Sequence, residues 1–328
     1  LVPPLLERLE RQRYDGDSLF RFNISDLFSL GPVVAYLREH PRGPRPRVMF
    51  LGSSVVWGWE VRAPETMPAQ FQRLNPGLRV LNFGLNASET PTSYLIARDV
   101  VDAVDLFVAI DFGDGANPRL STMIPVEPRD IERFNLRRPD RVEAMLERAF
   151  ARWRLYDDAY RLQSALFGTS TRLFVYMHKT DFLRGRFGPP AADSVPASIA
   201  GYREAAGSIQ VSHPRAEVEP SGERVRQLQD RFGVLWEFAS MITAHHRRAV
   251  FIELAGHSNP IADDDRADLN AVFGPAVAFV KLTVPKALTS DGLHFTPLGS
   301  AAIAHVVTDI APSAARLPQS SNPAGSAH

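Results

Sequence analysis

The stretch RVMFLGSSVVWG, Arg47 to Gly58, decides how the rest of the chain is read. Arg47 to Leu51 is a short apolar run that Gly52 closes, the pattern of a strand buried on both faces of a parallel sheet. Two serines follow where a helix has to begin. Ligands of parallel sheets bind beyond the carboxyl ends of the strands, so Ser53 and Ser54 stand where chemistry is done. A serine after a strand also serves simply as the N-cap of the next helix, and G-S-S taken alone favours that plainer role.

Working outward, the same alternation recurs. Pro64 to Leu74 reads as helix, Leu78 to Phe83 as a second strand, Thr90 to Val104 as helix and Leu106 to Ile110 as a third strand. After a less regular region, Val225 to His245 reads as helix, Ala249 to Leu254 and Phe279 to Leu282 as strands, and Pro297 to Ile310 as a closing helix. Strands alternating with helices predict an α/β chain: a three-layer α/β/α sandwich with a mostly parallel central sheet. Upstream, Ser25 before Leu27, Phe28, Leu30, Val33, Val34 and Leu37 reads as a capped lead-in helix within residues 1–46. The α/β domain is expected over 47–312, with a largely helical insertion or lid over about 118–222. Within it Arg141 to Phe167 is helix-like, Arg172 to Met177 fits strand or helix equally, and Phe187 to Gly222, without an apolar period, reads as a long loop. The end, 313–328 with SSNPAGSAH, is expected to be disordered. There is no internal repeat.

Bulk properties narrow the class. The 328 residues are 45% hydrophobic, enough for a large core. Basic and acidic residues balance at 37 each, so no net field draws the chain to nucleic acid or anionic lipid. With no cysteine, disulfides, thiolate nucleophiles and the common structural zinc sites are excluded together. Apolar runs such as AVFIELAG from Ala249 fall short of the ~20 residues of a bilayer span. The start at Leu1 gives the expectation of a leading segment, a signal peptide or anchor, and hence of export, with the cytoplasm left open. The sequons at Asn23 and Asn86 are read as loop chemistry only.

A serine hydroxyl needs a base, and the base an orienting acid. Of nine histidines, His40, His213, His245, His246, His305 and His328 fall in helices, the long loop or the tail. His178 and His257 are better placed but have no acid at a telling spacing apart from Asp181. His294 differs. In TSDGLHFTPLGSAAIA, Asp291 precedes it by three residues on an irregular loop, and Pro297 opens the last helix. A carboxylate so placed can accept the imidazole N–H and leave the other nitrogen free as a base.

These residues resemble the SGNH hydrolases, also called GDSL-type esterases. VMFLGSSVVWG is similar to the family's first block, with Ser53 in place of its Asp and Ser54 matching the nucleophile. DGLHFTPLGSAAIA is similar to the last block, VLNFGLNASET to the second and VDLFVAIDFGDGAN to the third; the region from Pro118 to Gly222 is unmatched. The resemblance implies a flavodoxin-like sheet, a Ser54–His294–Asp291 triad, no cofactor and no metal. It implies an oxyanion hole from the backbone N–H groups of Ser54 and Ala87, where the family has Gly. The third block departs: its Asn slot falls on Asp114 or Gly115, and Asp114, if protonated, or nearby Asn117 is left to supply the donor. Trp57 and Trp59 are candidate stacking surfaces for a sugar ring. The activity implied is hydrolysis of an acyl ester, small or on a glycan, with carbohydrate O-acetyl esters foremost. O-acetyl transfer to an exported polysaccharide and a silent carbohydrate-binding relative are the alternatives.

Overall fold

The computed structural model describes residues 30–41, 45–59, 61, 63–85, 88–110, 120, 124, 126–138, 141–142, 145, 199–256 and 260–311. Six strands form one sheet: β1 (Arg47–Gly52), β2 (Arg79–Gly84), β3 (Leu106–Ile110), β4 (Gln210–Ser212), β5 (Arg248–Leu254) and β6 (Val277–Thr283). Their order is β2-β1-β3-β5-β6-β4. All neighbours are parallel except β4, which runs antiparallel to β6 at one edge. The five parallel strands, counted among themselves, follow the flavodoxin-like order 2-1-3-4-5. The chain leaves β1 outward to β2 and returns across it to β3, which makes the carboxyl ends of β1 and β3 the switch point where such sheets open a crevice.

Alternation along each strand explains the three layers. On β1, Met49 and Leu51 face one side of the sheet, with Leu81, Phe83, Phe107 and Phe251 from its neighbours. That side is covered by α1 (Leu30–Glu39), α4 (Thr90–Val100), α7 (Gly222–Ala244) and α8 (Asp263–Phe273). Val48 and Phe50 face the other side, under α2 (Ser54–Trp57), α3 (Met67–Leu74) and α9 (Pro297–Ile310). The β1 run is buried along its whole length. Each large apolar side chain so buried contributes about 1.5–3 kcal/mol. Two further helices are short: α5 (Pro128–Arg133) and α6 (Ile199–Gly207).

The expected fold class holds, and several boundaries move. The helix read over Pro64 to Leu74 divides into a 3-10 turn, Ala63–Glu65, and α3, because Thr66 caps α3 by accepting the Ala69 N–H on its hydroxyl. The helix read over Thr90 to Val104 stops at Val100 and continues as a 3-10 turn over Val101–Ala103. The stretch Phe187 to Gly222, expected to be a loop, contains α6 and β4, so the described part of that reading is corrected. β4 is three residues long and Val211 is 46% exposed, so no buried face wrote a period into the sequence. α8 was not anticipated either. The start of the lead-in helix at Ser25, most of the 141–167 helix, 172–177 and the 313–328 tail lie outside the described residues.

Candidate active site

The serine turn is built by backbones that approach too closely for side chains. β1 ends at Gly52, with φ +146°, and a Cβ there would lie 2.3 Å from the Ile110 carbonyl oxygen on β3. α2 begins two residues on. Ser53 is extended at φ −83°, ψ −157°, and its carbonyl accepts the N–H groups of Val56 and Trp57 at 3.1 and 3.0 Å, while its hydroxyl makes no capping bond. It serves the turn through its backbone, and Ser54 becomes the first helical residue. α2 lies on the end of β2: a Cβ on Gly84 would come within 2.2 Å of the Trp57 nitrogen. Gly58, at φ +85°, ends the helix and donates to the Ser54 carbonyl at 2.9 Å.

The histidine loop is built by hydrogen bonds. After β6 the chain makes a 3-10 turn, Lys286–Leu288, and a bridge between Thr289 and Phe295 pinches off a short loop. Inside it the Ser290 N–H donates to the His294 carbonyl at 2.8 Å, and Gly292 takes φ +88°. Asp291 organises the interior: its Oδ1 accepts the N–H groups of Leu293 and His294 at 2.9 and 2.8 Å, and its Oδ2 lies 2.7 Å from His294 Nδ1. Thr296 joins loop to helix, accepting the Gly299 N–H and donating its hydroxyl to the Leu288 carbonyl. Gly299 has no room for a side chain, since a Cβ would sit 2.0 Å from the Leu288 oxygen.

The two segments meet at 2.9 Å, Ser54 Oγ to His294 Nε2, across 240 residues of sequence. The protonation pattern follows from the partners. The backbone N–H of His294, followed by its ring and the Leu293 N–H, holds the Asp291 carboxyl well below the usual carboxylate range, so it is ionised and can only accept. Nδ1 therefore carries the proton, and the Nε2 lone pair is directed at the Ser54 hydroxyl. The His294 side chain is 15% exposed and that of Asp291 49%, so the imidazole is shielded while its acid touches solvent.

The two tryptophans part company. Trp57, the last residue of α2, is buried at 5% exposure. Trp59 is half-buried, with its ring centroid 6.1 Å from that of His294 and tilted by 37°. This contact was not foreseen. Of the expected oxyanion donors, Ala87, Asp114 and Asn117 lie outside the described residues, as do His178 and His257. Other histidines have structural partners: His40 stacks on Tyr36, and His245 pairs with Asp102 at 2.9 Å. Burial pushes His305 down.

One feature at the carboxyl rim had a signal in the sequence that went unread, a Glu inside the apolar run VFIEL. Glu253, buried at the end of β5, accepts the Ile261 N–H at 3.2 Å and the Arg266 guanidinium at 2.6 Å, bracing the chain between β5 and α8. Among the described residues no three His, Asp or Glu side chains group as a metal site requires. Nor is any described helix long and apolar enough to cross a membrane.

No protein-family model matches the sequence, and no curated protein is similar to it. Solved structures do match. One is a Bacteroides fragilis protein provisionally described as an acylhydrolase, at 13% identity and TM-score 0.37, covering 84% of this chain and 93% of that one. Another is a protein of Desulfitobacterium hafniense provisionally described as a lipolytic protein of the G-D-S-L family, at 15% identity and TM-score 0.19, covering 35% of this chain and 73% of that one. A third is an esterase variant, at 16% identity and TM-score 0.20, covering 60% of this chain and 97% of that one. These likenesses are too distant to give any residue a role. In its own residues the chain resembles the SGNH and GDSL-type hydrolases, by the order of its sheet and by where its serine, histidine and aspartate stand.

Proposed function

We propose that the chain is a serine-dependent acyl-ester hydrolase with Ser54 as nucleophile, His294 as base and Asp291 as the acid that orients it. The observation that carries the reading is the unbroken line Ser54 Oγ–His294 Nε2 at 2.9 Å and His294 Nδ1–Asp291 Oδ2 at 2.7 Å, at the switch point of the sheet. Ser54 Oγ attacks the ester carbonyl carbon as its proton passes to Nε2. The imidazolium, stabilised by Asp291, returns that proton to the alcohol oxygen as the C–O bond breaks. Water then gives a proton to Nε2 and attacks the acyl carbon, and Ser54 recovers its proton as the carboxylic acid leaves. The Ser54 backbone N–H is the first oxyanion donor, and Ala87 with Asn117 or Asp114 are the candidates to complete the hole. Carbohydrate O-acetyl esters are the foremost substrates, with Trp59 as the sugar-facing surface beside His294.

Hydrolysis of p-nitrophenyl acetate, with Ser54→Ala lowering kcat/KM by about 10³–10⁶, is the expected result. Unchanged activity in that variant would overturn the assignment. Transfer uses the same three residues, with a glycan hydroxyl in place of water. Supplying an acetylated donor together with a polysaccharide separates the two: acetyl retained on the glycan means transfer, free acetate alone means hydrolysis.

A further inference from the structure

At the end of α2, Gly58 turns the chain back, and the residue it delivers is Trp59. Gly58 lies in the left-handed region at φ +85°, where a Cβ would come within 2.4 Å of the Thr66 side chain. The turn closes on Ser54: the N–H groups of Gly58 and Trp59 both donate to its carbonyl, at 2.9 and 3.0 Å. The Trp59 backbone is thus bonded to the residue that carries the nucleophile. Its indole neighbours that of the buried Trp57, with ring centroids 6.0 Å apart and a tilt of 40°. The His294 ring follows at 6.1 Å and 37°, nearer to face-on than to edge-on. Three rings therefore lead from the core beneath the serine turn to the base.

This contact does what Asp291 cannot. Asp291 and His294 belong to one loop, three residues apart, so their 2.7 Å bond holds the imidazole relative to that loop and travels with it. The separation of base and nucleophile depends instead on how the loop sits on the serine turn. Trp59 belongs to the serine turn and lies beside the ring of the base, so it bridges the two segments independently of the Ser54–His294 bond. A second consequence is electrostatic. The π face of an indole attracts a cation. The imidazole becomes a cation only as the Ser54 proton passes to Nε2, so this attraction arises on the way to the transition state and is absent when substrate merely binds.

We infer that Trp59 is a positioning residue for the base: it seats the His294 ring against the serine turn, and its π face steadies the imidazolium formed when Ser54 gives up its proton. The inference rests on the reading of Ser54 as nucleophile and His294 as base. It is a different role from that of a sugar-facing surface, and a substrate that carries no sugar separates the two.

With p-nitrophenyl acetate, Trp59→Leu, which keeps apolar bulk without a π face, is expected to lower kcat about tenfold while KM stays within about twofold, and Trp59→Phe to stay within about threefold of wild type. Replacing the four tryptophans by 5-fluorotryptophan weakens the π face at nearly constant shape, and decides the matter where Trp59→Leu fails to fold. There kcat should fall about twofold in the wild-type sequence and not in Trp59→Phe. With an active wild type, unchanged kcat in Trp59→Leu, a rise in KM alone, equal losses in the Leu and Phe variants, or equal responses of the two fluorinated proteins would each overturn the inference and leave the triad standing. A wild type that hydrolyses no ester would remove the triad reading, and the inference with it.

Discussion

Ser54 and His294 reach each other from segments held in different ways. The serine turn is fixed by exclusion: the close approach of Gly52 to Ile110 and of Gly84 to Trp57 seats α2, and Ser53 makes no side-chain capping bond to it. The histidine loop is fixed by attraction: one carboxylate gathers two backbone N–H groups and the imidazole, and one threonine ties the loop to α9. A turn made by close packing fails when volume is added. A loop made by hydrogen bonds fails when a charge or hydroxyl is removed. The comparison therefore predicts different lesions on the two sides of one 2.9 Å contact.

The largest effect is expected where the loop does its work. His294→Ala should lower kcat/KM by about 10³–10⁶ with the far-ultraviolet circular dichroism unchanged, because Asp291 keeps its two backbone partners without the ring. A variant that unfolds would mean that the ring itself holds the loop. Asp291→Asn is expected to cost about 10²–10⁴ in kcat, by presenting an amide N–H to Nδ1 and so favouring the wrong tautomer.

On the serine side the sharper test is Gly84→Ala, a single methyl group on a residue that takes no part in the chemistry. Its Cβ meets the Trp57 backbone rather than a movable side chain, so α2 has to shift. The expected cost is about 1–3 kcal/mol in denaturant unfolding, accompanied by loss of ester hydrolysis. Stability lost with activity intact would show that α2 can move without moving Ser54. A smaller effect, about 1 kcal/mol, is expected for Thr296→Val, which removes the cap of α9 and its bond to Leu288 together.

The same contrast explains what the sequence made legible. β1 and β3 were readable because strands buried on both faces write unbroken apolar runs, and α9 because Pro297 announces its start. The Asp291–His294 pair was readable because it is local, three residues apart. What was not readable depends on neighbours distant in the chain. Gly84 looks like any strand-ending glycine until α2 is seen lying on it. Trp57 and Trp59 are two residues apart and similar in type, yet only the fold shows that one is covered by the core and the other flanks His294. β4 carried too little apolar surface to signal a strand, and its pairing is supplied by β6. α8 did carry a signal, three aspartates in its first turn, where negative charge suits the helix dipole.

The smallest expected effect is also the one that best separates the two sides, because it acts by pH alone. Asp291 has its pKa depressed in the folded chain, chiefly by the His294 backbone N–H, so its ionised form stabilises the fold. The sign follows from proton binding: below about pH 4 the unfolded chain takes up a proton at this position that the folded chain resists. The contribution is therefore fully present above the ordinary carboxylate range and is lost as pH falls through the depressed value. The stability difference between wild type and Asp291→Asn should stay constant from neutral pH down to about pH 5 and narrow below it. Gly84→Ala, whose lesion is steric, should keep a constant difference from wild type over the same range. Urea unfolding of the three proteins at stepped pH measures both, and a Gly84→Ala difference that narrowed in parallel with that of Asp291→Asn would remove the distinction between a turn held by volume and a loop held by charge.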